Sequence, residues 1–172
     1  MRFPRRHDPI TLLACFKFPQ PAVPPSSIYS MTPKEKYSVL VVDDCEDDRL
    51  FLRRAIQSCP KLYIVGELGD GEAAIAYLEG LKSYSNREKN PFPDAMLLDL
   101  KMPRKTGHEV LEWLRAQPFK DLFVAVISGS FLPEDIERSK ALGANAYYKK
   151  NALKVEQEAM IREIAEMLDK PR

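Results

Sequence analysis

Five short runs of β-branched and aliphatic residues stand at intervals along this chain, and four of them end on a residue that can carry charge or donate a hydrogen bond. Ser38-Val39-Leu40-Val41-Val42 leads into Asp43 and Asp44, and Ala95-Met96-Leu97-Leu98 into Asp99. Phe123-Val124-Ala125-Val126-Ile127 leads into Ser128, and Ala146-Tyr147-Tyr148-Lys149 into Lys150. Apolar runs this short, without polar alternation, read as strands buried on both faces, which is the habit of parallel sheets. Ligands of open α/β sheets bind at the carboxyl ends of the strands. The polar residues therefore fall where a site would be.

Strands are expected over 37–42, 62–67, 95–99, 123–128 and 145–149, with helical patterns between them. The first helix, 46–58, sets Phe51, Leu52, Ala55, Ile56 and Cys59 on one side. The second opens at Asp70-Gly71-Glu72 and runs to Leu81, and the third runs from Gly107 to Ala116. The fourth begins at Pro133, a residue suited to a first helical turn, and stops at Gly143. The fifth, 153–168, carries Leu153, Met160, Ile161, Ile164 and Leu168 at helical spacing. Five strand-then-helix units imply an α/β fold, a five-stranded parallel sheet doubly wound with helices on both faces. Residues 82–93 (KSYSNREKNPFP) are polar and aperiodic, longer than the usual 2–6-residue connection. They read as a mobile surface insertion in preference to a binding loop.

The chain divides at about residue 36. Residues 1–36 hold seven of the fourteen prolines and none of the seven glycines, so they form no continuous helix and offer little to pack. They are expected to be a disordered extension, or an over-extended start ahead of Met31. Residues 37–170 form the folded domain. Arg2, Arg5 and Arg6 precede Ile10–Cys15, an apolar stretch too short for a secretory signal and interrupted by Asp8-Pro9. No stretch approaches the roughly 20 apolar residues of a membrane span. A net charge of +1 gives no electrostatic case for nucleic acid or an anionic membrane. Three cysteines without metal spacing point to a reducing, cytoplasmic setting. Two histidines exclude a zinc cluster or a histidine-based triad.

Three carboxylates brought to adjacent strand ends repel one another, by about 4 kcal/mol per pair at ~4 Å and an effective dielectric near 20. A hard divalent cation relieves this, and magnesium favours one or two carboxylates with water and phosphate oxygens. An aspartate can itself be the nucleophile and form an aspartyl-phosphate. Taken singly, the residues have blander readings: Asp44 or Asp48 as a cap of the first helix, Ser128 and Lys150 as solvated strand ends. Their order and spacing together favour a phosphoryl-accepting pocket.

The segments VLVVDD (39–44), GELGDGEAAIAYL (66–78), MLLDLKMPRKTGHEVL (96–111), VAVISGS (124–130) and GANAYYKK (143–150) resemble a response-regulator receiver domain across the whole folded part. The resemblance implies Asp99 as phosphoacceptor, and Asp43, Asp44, Asp99 and the backbone carbonyl of Lys101 around Mg2+. It implies Ser128 and Lys150 as catalytic partners, with Ser128 and Tyr147 as the switch pair. Lys149 competes for the lysine role, but strand alternation and the interval from Gly143 favour Lys150. On phosphorylation, Ser128 would move toward the phosphoryl group and Tyr147 would turn inward, reshaping the face of the fourth helix, last strand and last helix. A family proline, joined through a cis bond, is replaced here by Asn151. That change and the long 82–93 loop resemble the small receivers that partner phytochrome-type histidine kinases.

The stretch from Lys150 to Arg172 is expected to hold one helix and no effector domain. The expected function is a stand-alone response regulator that is not an enzyme beyond its own phosphorylation and dephosphorylation. Its partners would be a sensor histidine kinase or phosphotransfer protein, a downstream protein target, and in some states a second copy. A phosphorylation-independent scaffold is the alternative. A haloacid-dehalogenase-type phosphatase would need an acid where Lys101 stands. A flavodoxin would need a hydroxyl- and glycine-rich loop in place of Asp43-Asp44-Cys45-Glu46.

Overall fold

The structure, a computed structural model, describes residues 34–119, 121–150 and 153–170, and the backbone of 15–17. Its sheet has six strands in the order β1-β6-β5-β4-β2-β3, where β1 is Cys15–Lys17, β2 Tyr37–Val42, β3 Leu62–Leu68, β4 Ala95–Leu98, β5 Phe123–Ser128 and β6 Ala146–Lys149. Strands β2 to β6 are parallel and correspond to the five expected from sequence. The sixth, β1, pairs antiparallel with the outer edge of β6, Phe16 opposite Tyr147. Sequence reading left residues 1–36 without structure, and this strand is an addition to it. The other residues before 34 lie outside those described.

Helices α1 (Glu46–Gln57), α2 (Gly71–Glu79), α3 (Gly107–Arg115), α4 (Pro133–Ala141) and α5 (Lys154–Leu168) follow β2 to β6 in turn. Alternation along the strands divides the core in two. Val39, Val41, Leu97, Ala125, Ile127 and Tyr148 face α1 and α5, packing on Leu52, Ile56, Ile161 and Ile164. Leu40, Val42, Met96, Leu98, Val126 and Tyr147 face α2, α3 and α4. Both faces are covered, so the strands can be apolar throughout. No helix among the described residues is long and apolar enough to cross a membrane.

Local chemistry sets the helix ends. Asp70 caps α2 through Ala73 N–H, and Thr106 and Glu109 form a reciprocal capping box on α3. Helix α4 ends with Gly143 N–H on the Lys140 carbonyl and Ala144 N–H on that of Ser139, a Schellman closure. Helix α1 begins at Cys45 with no side-chain cap, so neither Asp44 nor Asp48 is spent on capping.

The 82–93 connection is built, contrary to the mobile insertion expected from its composition. Arg87 donates to the carbonyls of Tyr77 (2.8 Å) and Leu78 (2.6 Å) at the end of α2, and to Asn90 (3.3 Å). It lies against Gly80, whose φ of +73° turns the chain out of the helix. Tyr77, fully buried, donates to Pro91 O, and Phe92 packs on Phe119 at 4.8 Å. A guanidinium on two carbonyls of the last turn of α2 gives charge-assisted bonds of high directionality. Arg87→Ala should therefore cost about 1.5–3 kcal/mol in urea unfolding and open 82–93 to limited proteolysis. Arg87→Lys should restore little, because an ammonium cannot span two carbonyls in the same fork.

Candidate functional site

Strand register alone assembles the site. Val42 pairs with Leu98, so Asp43 and Asp99 leave neighbouring strands side by side. Leu98 pairs with Val126, and Ser128 with Lys149, so Ser128 and Lys150 reach the same end of the sheet. Asp99 N–H bonds Val42 O at 2.9 Å and Lys150 N–H bonds Ser128 O at 2.8 Å, which extends the ladder into the site.

Asp43 and Asp99 are 1% and 4% exposed, whereas Asp44 is exposed. Carboxylate oxygens of the three lie within 4.8 Å of one another. The Asp43 Oδ1 accepts from Cys45 N–H (2.9 Å), and the Asp99 Oδ1 from Leu100 N–H (2.7 Å). The Lys150 Nζ sits 2.8 Å from Asp43, 3.1 Å from Asp99 and 2.9 Å from Asp48. Lys149 instead lies exposed over the Phe131 ring, 6.0 Å from its centre. Burial by itself would lower the Lys150 pKa, but the hydrogen bonds it donates to Asp43 and Asp48 and the Asp99 charge hold it well above the ordinary lysine value. Burial pushes the Asp43 carboxyl up, against the opposing pull of Lys150. A hard-oxygen donor set carrying more negative than positive charge fits a divalent ion such as magnesium or manganese.

The loop between β4 and α3 is held tightly. A Cβ at Gly107 would stand 2.2 Å from the Asp99 carbonyl oxygen, so only glycine lets α3 start there. Arg104 takes a left-handed φ of +64°, costly for a side-chain-bearing residue, and its guanidinium pairs with Asp70. This pair holds the Asp70 carboxyl below the usual range. Lys101, on that loop, has an exposed side chain.

Ser128 is fully buried and its Oγ accepts from Ser130 N–H at 3.2 Å. The Tyr147 hydroxyl donates to Ser130 O at 2.9 Å, and the Ser130 hydroxyl donates to Asp135 in the first turn of α4. Tyr147 is already inward, completely buried with Phe131 edge-on at 6.3 Å, where the sequence reading had it turning inward on phosphorylation. The Lys150–Asn151 bond lies partly outside the described residues.

Sequence reasoning missed Asp48 as a contact of Lys150 and Arg49 as a brace on the Asp43 carbonyl (2.6 Å). Their spacing after Asp44 puts both on the first turn of α1, and a helical wheel begun at Glu46 would have aimed them at the strand ends. It also missed His108, buried between α3 and α4 with Nε2 3.1 Å from Ser139 Oγ and 3.4 Å from Asp135 O.

A doubly wound parallel sheet with an acid triad and one lysine at its carboxyl edge defines an α/β domain with an acidic pocket at its strand ends. The response regulator receiver domain model matches residues 39–165, and the chain belongs to that family, the signalling module of two-component systems. It is 32% identical over 114 residues to response regulator Rcp1 of Synechocystis sp., covering 66% of this chain and 76% of Rcp1. It is 32% identical to the nitrate/nitrite response regulator NarL of Escherichia coli, covering 70% of this chain but 51% of NarL. Among solved structures it is similar to the phosphorylated cyanobacterial phytochrome response regulator RcpA, at a TM-score of 0.69 and 31% identity over 77% of this chain and 94% of RcpA. The Mn(2+)-bound form of Rcp1 is similar at a TM-score of 0.64 and 30% identity, over 74% of this chain and 91% of that one.

Two outcomes follow from the charges. Lys150→Met leaves buried carboxylates uncompensated and should destabilise the metal-free protein by about 3–5 kcal/mol; millimolar magnesium should return part of this, read as a rise in urea midpoint. Burial lowers the His108 pKa, so below about pH 6.5 the unfolded chain takes up a proton that the folded one resists, and stability falls with pH. His108→Gln should flatten that acid limb in denaturation curves run from pH 7.5 down to 5.

Proposed function

We propose that this chain accepts a phosphoryl group on Asp99 from the phosphohistidine of a sensor kinase or phosphotransfer protein, and passes the signal on through altered protein contacts. The observation that carries the reading is the Lys150 ammonium shared between Asp43 and Asp99 beside the acid triad. One oxygen of Asp99 is tied down by Leu100 N–H and the other faces Lys150, which holds the carboxylate oriented for attack. An Asp99 oxygen forms the new P–O bond as the P–N bond breaks, and the donor imidazole keeps the electron pair. Lys150 then turns its charge to a phosphoryl oxygen, and Ser128 gives that group a hydroxyl hydrogen bond. A magnesium ion held by Asp43, Asp44, Asp99 and the Lys101 carbonyl would supply charge neutralisation at the phosphoryl oxygens.

Ser128 and Tyr147 form the switch pair in this reading. Both bond to Ser130, which in turn bonds Asp135, so movement of Ser128 draws on the start of α4. The likeness to RcpA supports a kinase of the phytochrome class as donor, acting in the cytoplasm, with residues 37–170 as the signalling unit and residues 1–36 apart from the phosphoryl chemistry.

Incubation of the full chain with acetyl phosphate and magnesium should add one phosphoryl mass by intact mass spectrometry. The adduct should be lost in hydroxylamine and absent from Asp99→Asn. An adduct that persists in Asp99→Asn would move the acceptor elsewhere, and no adduct under any donor would leave the scaffold reading in its place.

A further inference from the structure

Three carboxylates surround the Lys150 ammonium, but Asp48 stands apart from the other two. Asp43 and Asp99 belong to the acid triad and are buried at adjacent strand ends. Asp48 lies on the first turn of α1, with its side chain 36% exposed, and its Oδ2 is 2.9 Å from the ammonium. A cation entering the triad competes with Lys150 for the carboxylates of Asp43 and Asp99, because two positive charges cannot share the same oxygens without repulsion. Lys150 must then yield ground, and a half-buried ammonium left without an acceptor is costly.

We infer that Asp48 is a positioning residue, the alternate acceptor that keeps Lys150 hydrogen-bonded when a metal ion takes up Asp43 and Asp99. The inference rests on the reading of the triad as metal-holding. Asp48 acts through Lys150 and touches neither metal nor phosphoryl group. On this account the lysine has two posts: shared across the pocket when no metal is bound, and drawn toward α1 when one is. From the second post it remains beside the opening where a phosphoryl group arrives. The plainer role for an acid in a first helical turn is to complement the helix dipole. Glu46 and Asp47 occupy the same turn and supply that charge already. Among the described residues, the carboxylate partners of Lys150 are Asp43, Asp48 and Asp99. Asp47, exposed, is therefore the matched control: same turn, same charge, outside that set.

The test is magnesium affinity of the full chain by titration calorimetry. Asp48→Asn should weaken binding about tenfold, the equivalent of one charge-assisted hydrogen bond, and Asp47→Asn less than about twofold at physiological salt. In a Lys150→Met background, where there is no ammonium to hold, Asp48→Asn should cause no further loss. A second measurement avoids the lysine variant: in magnesium-saturated wild type the Lys150 ammonium protons should be protected from exchange by NMR, and in Asp48→Ala, which leaves no acceptor at that position, they should not. Equal effects of Asp48→Asn and Asp47→Asn, an undiminished Asp48→Asn effect beside Lys150→Met, or unchanged ammonium protection would each overturn the inference. Absence of magnesium binding by the wild type would instead overturn the reading of the triad itself.

Discussion

The ammonium of Lys150 lies 2.8 Å from Asp43, 2.9 Å from Asp48 and 3.1 Å from Asp99, and it makes tolerable the ending of β2 and β4 on neighbouring carboxylates. The rest of the site is arranged around that group. Strand β6 delivers it, because pairing with β5 carries on past Lys149 to the bond between Lys150 N–H and Ser128 O. Arg49 steadies the Asp43 backbone, and Gly107 lets α3 close against the Asp99 carbonyl. The pocket is preorganised by backbone pairing and needs few side-chain contacts to keep its shape.

How much of this a sequence shows depends on the range of the interaction responsible. Strands β2, β4 and β5 were readable because burial on both faces leaves a local trace, a nearly unbroken apolar run, whereas the edge strand β3 is mostly half-buried and leaves a shorter one. Asp43, Asp99, Ser128 and Lys150 could be paired in advance because register in a parallel sheet is nearly a matter of counting from each strand's last apolar residue. Arg87 was not readable, since its carbonyl partners lie nine and ten positions back at the end of α2, and no periodicity encodes that reach. Composition suggested a loose loop, whereas one guanidinium and Tyr77 fasten it. Asp48 was hidden for a related reason: its partner is 102 positions away. Strand β1 carries no apolar alternation of its own and exists only by completing the open edge of β6.

Tyr147 illustrates a different limit. Its place on β6 follows from alternation, but its rotamer does not, because that is decided by the Ser130 carbonyl and the Phe131 ring on another loop. Ser130 thereby joins Ser128, Tyr147 and Asp135 in one hydrogen-bonded chain, and His108 and Ser139 extend the polar contacts along the α3–α4 seam. Buried polar groups linked in this way act in concert, since displacing one leaves its neighbour unsatisfied.

The connection fastened by Arg87 sits at the amino end of β4, and Asp99 follows the carboxyl end of the same four-residue strand. About 13 Å of rigid backbone separates the two. The two ends of the sheet are thus free to vary under different pressures. Length, charge and aromatic content can change at the lower rim, where Phe92 and Leu81 already meet solvent, while the register above stays fixed. In a domain built this way, recognition can diverge from one descendant to the next with the chemistry inherited intact.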